Sequence, residues 1–329
     1  MTTTPLTDWP ALHGDCFRAQ RVLVTGGAGF IGSHLAQALD ILGAEVVVLD
    51  NLDGGSRDNL GGLRVDFLEG SILDAPLLAR AIEGCRYVFH LAALGSVPRS
   101  VAEPLRFHEV NATGTLRVLE AARQAGVARV MFSASSSAYG DDETVPKRES
   151  MPPVARSPYA ATKLAGEALL AAYAACHPAL DTVSLRYFNI FGPRQNANSA
   201  YAAVIAAFAA ALLQGRRATI YGDGEQSRDF AYVDDAVHAN LLAARSQERL
   251  DGLVLNVGCA RRITVNALYE AMASMAGRTE LRPVYEPPRA GDVRHSLAAL
   301  EAIEARLGYR SVVGFEDGLR ATMQWYRGG

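Results

Sequence analysis

The stretch that decides the fold is RVLVTGGAGFIG, residues 21–32. A short apolar run, Val22 to Thr25, turns at once into glycines at positions 26, 29 and 32, and a helical pattern follows. That is a strand, a tight turn and a helix start. Each glycine has a physical task. Gly26 permits the turn, Gly29 lets a phosphate approach the backbone, and Gly32 lets the helix pack close to the sheet. The N–H groups at the helix start, around Phe30 and Ile31, offer partial positive charge to an anion. A glycine turn alone is weak evidence. Here a second strand, EVVVLD (45–50), ends in Asp50, followed by Asn51. A carboxylate at that strand end accepts hydrogen bonds from both ribose hydroxyls of an adenosine and repels a 2′-phosphate. Together these features point to a bound dinucleotide, NAD rather than NADP. Arg57, in the loop that follows, is the nearby cation that a 2′-phosphate would seek.

Outward from this unit the same grammar repeats. LRVDFLEG (63–70), RYVFHLAA (86–93), RVMFSAS (129–135) and TVSLRYFN (182–189) are apolar on both faces, as strands of a parallel sheet covered on both sides must be. Helical patterns lie between them at 30–42, 75–83, 101–125 and 158–176. Alternation of this kind predicts an α/β fold, a Rossmann-like doubly wound parallel sheet with right-handed crossovers. Beyond residue 190 the pattern changes. FGPRQNANSA and EPPRAGDVRHS read as loops; helices are expected at 200–214, 234–245, 264–277 and 296–306, with short strands at ATIYG and LVLNVG. The expected organisation is an NAD-binding domain over 1–190, opened by a loosely held arm at 1–19. A smaller α/β substrate lobe follows over 191–329, with some segments crossing back.

The totals narrow the function. Net charge is −3, so nothing favours nucleic acid as a partner. The four cysteines form no CxxC pair, which suits free thiols in a reducing cytoplasm. The seven histidines show no ligand spacing, so no metal is expected. No apolar run approaches the ~18 residues of a membrane span, and no signal-peptide pattern opens the chain.

SPYAATK (157–163) carries the chemistry. Ser157 suits a helix N-cap and Pro158 the first helical position. Tyr159 then lies in the first turn, with Lys163 four residues on and on the same face. The positive helix end and the ammonium are both expected to lower the phenol's pKa, making a general base. SASSSAYG, ending the fifth strand, brings a serine cluster to the same carboxyl edge, where ligands of open α/β sheets bind.

Taken in order, TGGAGFIG, HLAA, NATGT, SASSSAYG, SPYAATK, LRYFNIFGPRQ, SRDFAYVDD and PRAGDVRHS resemble the landmarks of the extended short-chain dehydrogenase/reductase family. The resemblance covers residues 20–325 and is greatest to its NAD-dependent nucleotide-sugar epimerases, in particular those acting on UDP-N-acetylglucosamine. It implies that Tyr159 moves the proton of the sugar 4-hydroxyl, that Lys163 holds the nicotinamide ribose, and that Ser135 bonds the same sugar oxygen with Ser136 close by. It places Leu91, Ala92, Ala93, Asn111, Ser71 and Ile72 on the cofactor. It places Asn189, Val204, Tyr221, Arg228, Arg289, Asp292 and Ser296 on the UDP-sugar, the arginines and Asn189 on the diphosphate and Asp292 on the uridine ribose. It also implies a homodimer joined through helices 101–125 and 158–176. One position departs from the family: the acidic residue of a GD pair after the third strand is here Ser71, in Gly70–Ser71.

The reaction follows from what stands beside the serines. Dehydratases of this family carry an acidic pair there and decarboxylases a glutamate; this chain has SSSAYG. The expected activity is UDP-sugar 4-epimerisation: oxidation at C4, rotation of the keto sugar and reduction on its other face. UDP-glucuronate 4-epimerase or decarboxylase is the alternative, and a non-catalytic NAD-binding regulator a more distant one. Ser296, seven residues after Arg289, is small where bulky tyrosine in relatives goes with non-acetylated sugars, so UDP-GlcNAc and UDP-GalNAc are the expected substrates. The competing role for Ser296 is to cap the helix that follows it.

Overall fold

The computed structural model describes residues 4–196, 204–288 and 293–328. Its centre is a seven-stranded, wholly parallel sheet. Six strands come from the first part of the chain: β1 (Arg21–Thr25), β2 (Glu45–Asp50), β3 (Val65–Glu69), β4 (Tyr87–His90), β5 (Arg129–Ser135) and β6 (Asp181–Tyr187). The seventh, Leu253–Val257, comes from far downstream and pairs with β6. The spatial order is Leu253–Val257, β6, β5, β4, β1, β2, β3. Winding reverses between β1 and β4, and a crevice at the carboxyl ends is the result.

Both faces are covered, as the apolar patterns require. Val22 and Val24 of β1 point to a layer holding Leu35 and Leu39 of helix Phe30–Ile41 and Val237 and Leu241 of helix Val233–Arg245. Leu23, between them, points to the opposite layer, with Leu78, Leu119 and Leu170 from helices Ala75–Ile82, Gly114–Gln124 and Pro158–Cys176. A separate core of Phe208, Tyr269, Met272, Phe315 and Leu319 holds the later helices together. Residue 190 is not a clean cut, because both the Val233–Arg245 helix and the Leu253–Val257 strand belong to the large sheet layer.

Three expectations need correction, and one helix is additional. The N-terminal arm is docked: Trp9 and Phe17 are fully buried in the main core, Thr7 donates to Asp234 Oδ2 at 2.8 Å, and His13 Nε2 meets His238 Nδ1 at 3.0 Å. The apolar area of Trp9 and Phe17 is what docks the arm. The 101–125 helix is broken into Val97–Ala102, Pro104–Phe107, a wide turn at His108–Thr113 and Gly114–Gln124. Pro104 has no N–H to continue the first piece. The helix expected at 296–306 starts only at Glu301, with Leu300 as its cap position. Helix Phe315–Gly328 was not anticipated at all.

Candidate active site

The crevice at the carboxyl edge is a cleft of about 410 Å³. Its floor is the glycine turn. Gly26 has φ +70°, and a Cβ there would lie 2.7 Å from Ala92 N, so Leu91, Ala92 and Ala93 form the opposite lip. Gly32 works differently from the expectation. A Cβ on it would lie 2.1 Å from Gly26 O, so it lets the helix pack on the turn itself. The glycine that touches the sheet is Gly27, against Val48. Asp50 is buried and accepts hydrogen bonds from Ala28 N at 2.9 Å and Leu52 N at 2.8 Å, which leaves further lone pairs facing the cleft. Gly29, Phe30, Ile31, Asn51, Ser71 and Ile72 line the remaining wall. Ser71 Oγ accepts from Leu73 N, so its O–H remains to donate. Arg57 does not line the cleft; its guanidinium stacks 4.6 Å over the Phe67 ring. Asn111 stands behind the wall. Its amide is buried and spans Leu94 N, Leu94 O and Thr162 Oγ1, so it shapes the lip and does not line the cleft.

Tyr159 and Lys163 stand at the inner end of this cleft. Ser157 Oγ caps their helix by accepting from Ala160 N at 3.1 Å, and Pro158 fills the first turn. Lys163 is buried, donates to Ser133 O at 2.7 Å and lies 4.8 Å over the Phe132 ring. Burial lowers its pKa to about 8, with the Glu167 carboxylate one turn on opposing the fall. The expected fall in the Tyr159 pKa is a correction. Burial pushes the phenol up, and the hydrogen bond to Ser135 offsets only part of that. A helix end is worth about 0.3–1 kcal/mol, less than one pKa unit, whereas desolvation can reach several units.

Tyr159 also faces a second cleft of about 590 Å³, on its far side. Ser135, Ser136 and Ser137 line it, as do Asn189, Arg228 and Ser296. Ser135 Oγ accepts from Ser137 N at 3.2 Å, which fixes the hydroxyl at the strand end. Ser296 sits five residues before the Glu301–Leu307 helix, so it cannot be that helix's cap. Among the described lining residues there is no carboxylate. Asn189 and Arg228 continue into a third cleft of about 310 Å³, lined also by Val204, Tyr221 and Phe230. Arg289 and Asp292 lie outside the described residues. Among the described residues no His/Cys/Asp/Glu cluster suits a metal ion, and no helix is long and apolar enough to cross a membrane.

A glycine-turn cleft and a serine-lined cleft meet at one Tyr-xxx-Lys pair. The NAD dependent epimerase/dehydratase family matches residues 22–258. The chain belongs to that family. It is 39% identical to a UDP-glucose 4-epimerase of Mycolicibacterium smegmatis, over 93% of this chain and 98% of that one. Among solved structures it resembles a UDP-N-acetylglucosamine 4-epimerase from Methanobrevibacter ruminantium in complex with UDP-N-acetylmuramic acid, at TM-score 0.89 and 40% identity over 94% and 98% of the two chains. It also resembles a Thermus thermophilus UDP-glucose 4-epimerase in complex with NAD, at TM-score 0.85 and 39% identity over 94% and 100%.

As an NAD-dependent epimerase/dehydratase, the chain is an enzyme whose cleft residues fit the cofactor: a tight glycine turn with no room for a Cβ at Gly26 or Gly32, and the buried Asp50 carboxylate in the cleft wall. Sequence reading missed several of its cleft residues. Gly95, Ser96 and Arg99 stand just after HLAA, and Asp53 and Gly55 just after Asp50. Reading each strand's carboxyl-edge loop to its end would have found them. Tyr187 lines both the first and second clefts and its hydroxyl accepts from Asn240 Nδ2 at 2.6 Å; it lay unremarked inside a strand pattern. Gln195, shared by the second and third clefts, ends the LRYFNIFGPRQ landmark, where the sequence alone gives it no role of its own.

Proposed function

We propose that this enzyme is a UDP-sugar 4-epimerase that interconverts UDP-GlcNAc and UDP-GalNAc, and less well UDP-Glc and UDP-Gal. The observation that carries the reading is the placement of Tyr159 between a cofactor cleft and a second cleft whose described lining holds serines, an asparagine and an arginine but no carboxylate. Elimination of a hydroxyl needs an acid there, and reversible oxidation does not. Tyr159 takes the proton of the sugar 4-hydroxyl, and Ser135 holds the same oxygen. Lys163, one helical turn from Tyr159 in the same cleft, holds the nicotinamide ribose. NAD, when bound in its oxidised form, supplies the hydride acceptor and a positive charge that favours the phenolate. Tyr159 then returns the proton once the sugar has turned its other face. Arg228 suits the diphosphate through its planar, always charged fork, and Val204, Tyr221 and Phe230 suit the base.

Ser296 supports the acetylated preference, since its side chain is small and its place in the second cleft is not explained by helix capping. Exposed Val101, Leu105 and Leu116 support a homodimer formed through the 101–125 stretch together with the 158–176 helix. Four unpaired cysteines support a cytoplasmic setting. The test is a panel of UDP-GlcNAc, UDP-Glc and UDP-glucuronate incubated with purified enzyme and no added NAD. UDP-GalNAc formed with the highest kcat/KM is expected. Turnover of UDP-glucuronate alone, or release of carbon dioxide, would overturn the proposal.

A further inference from the structure

At the outer end of the cofactor cleft four charged side chains close into a ring. Asp53 Oδ2 meets Arg99 Nη1 at 3.5 Å, and Arg99 Nε donates to Glu103 Oε1 at 2.8 Å. Glu103 Oε2 accepts from Arg106 Nη1 at 3.0 Å, and Arg106 Nη2 returns to Asp53 Oδ1 at 2.9 Å. Two acids and two arginines alternate, so the ring carries no net charge. Both oxygens of each carboxylate are used. Asp53, Arg99 and Arg106 line the cleft; Glu103 does not.

The ring joins parts of the chain that are otherwise separate walls. Asp53 belongs to the loop after β2, beside Asp50. Arg99, Glu103 and Arg106 belong to the broken helical segment after β4, on the opposite side. The Asp53 loop is held under constraint at its base. Leu52 has φ +61°, a left-handed conformation that an ordinary side chain seldom adopts, and Gly55 packs where a Cβ would lie 2.6 Å from Ala28 O. A residue in that region persists only where its surroundings over-determine it. A cofactor reoxidised in every cycle has no need to leave, so a device that slows its exit suits the chemistry.

We propose that the Asp53–Arg99–Glu103–Arg106 ring is a latch across the mouth of the cleft that sets how slowly NAD leaves. The proposal rests on the NAD reading of this cleft. The ring side chains are between about a quarter and a half exposed, so salt screens them. Opening the latch therefore requires only the loss of a few half-exposed ion pairs, and release is expected to accelerate with ionic strength.

Glu103 separates a latch from direct contact, because it completes the ring without facing the cleft. The experiment loads the enzyme with radiolabelled NAD and chases with excess unlabelled NAD, at low salt and at about 0.5 M NaCl, where the Debye length falls to roughly 4 Å. Wild type is expected to release label several-fold faster at high salt. Asp53→Asn and Glu103→Gln are both expected to release it about two- to ten-fold faster than wild type at low salt, with little further gain at high salt. Circular dichroism on each variant checks that the fold is kept. Equal release from wild type and both variants overturns the latch. Acceleration by Asp53→Asn with no change in Glu103→Gln also overturns it, and assigns Asp53 a direct contact instead. A protein that yields no NAD on denaturation and also takes up no labelled NAD would overturn the cofactor reading itself, a result distinct from NAD that binds and leaves at an unaltered rate.

Discussion

The cofactor cleft and the serine-lined cleft share Tyr159 but are built in opposite ways. The first has a floor made from the ends of consecutive strands, with helical residues such as Arg99, Tyr159 and Lys163 at its sides: the turn after β1, Asp50 closing β2, Ser71 after β3 and Leu91 after β4. Its floor is backbone, and a Cβ at Gly26 or Gly32 would collide with Ala92 N or Gly26 O and push the turn apart. The second gathers Ser135, Asn189, Arg228 and Ser296 from four distant segments, and its shape is side chain. Backbone-built sites tolerate little variation, because a dinucleotide phosphate needs N–H groups at fixed places. Side-chain-built sites can be altered one residue at a time, which is how one scaffold serves many sugars.

Tyr159 is the point at which to break the junction. Tyr159→Phe keeps the ring and removes the ionisable oxygen. Turnover is expected to fall by about 10²–10⁴-fold, while NAD content and UDP-sugar binding remain, as read by spectroscopy and calorimetry. Near-normal turnover would refute the base assignment. Ser296→Tyr sharpens the contrast from the substrate side alone. The ratio of kcat/KM for UDP-GlcNAc over UDP-Glc is expected to fall by about 10–200-fold with NAD content unchanged. Equal slowing of both substrates would show that Ser296 is not a gate.

Lys163 gives a smaller, pH-dependent effect. Its folded pKa of about 8 lies below the unfolded value near 10.5. The unfolded chain therefore holds the extra proton across that window, and the lysine's contribution to stability rises as pH increases from 8 toward 10.5. Against Lys163→Met, wild type is expected to gain about 1–2 kcal/mol between pH 7.5 and 9.5, measured by denaturant titration. A difference that stays flat or shrinks would show that Lys163 is not held partly desolvated.

How much of this the sequence disclosed follows the same division. Val22, Leu23 and Val24 alternate between two buried layers, so their apolar run announced a doubly covered strand. Gly26 and Asp50 were readable because contiguous residues perform the task. Arg228 and Ser296 were reachable only through resemblance, since no local pattern tells which loops fold over which strand. The phenol's pKa was misjudged because a helix end and a lysine are visible in a sequence, whereas desolvation is a property of the packed site. The docked arm was misjudged for a related reason: Trp9 and Phe17 bury themselves against helices whose position only the tertiary fold sets.

The most direct measurement follows the hydrogen at C4. Both clefts open on Tyr159, so the hydrogen removed from the sugar is expected to pass to the cofactor and return to the same carbon at that one site. UDP-GlcNAc carrying deuterium at C4 is incubated with the enzyme in ordinary water without added NAD, and the UDP-GalNAc formed is read by mass spectrometry and NMR. Full retention of deuterium at C4, with inverted configuration, is the expected result. Loss of the label to solvent, or its appearance at another carbon, would contradict epimerisation by reversible oxidation at C4.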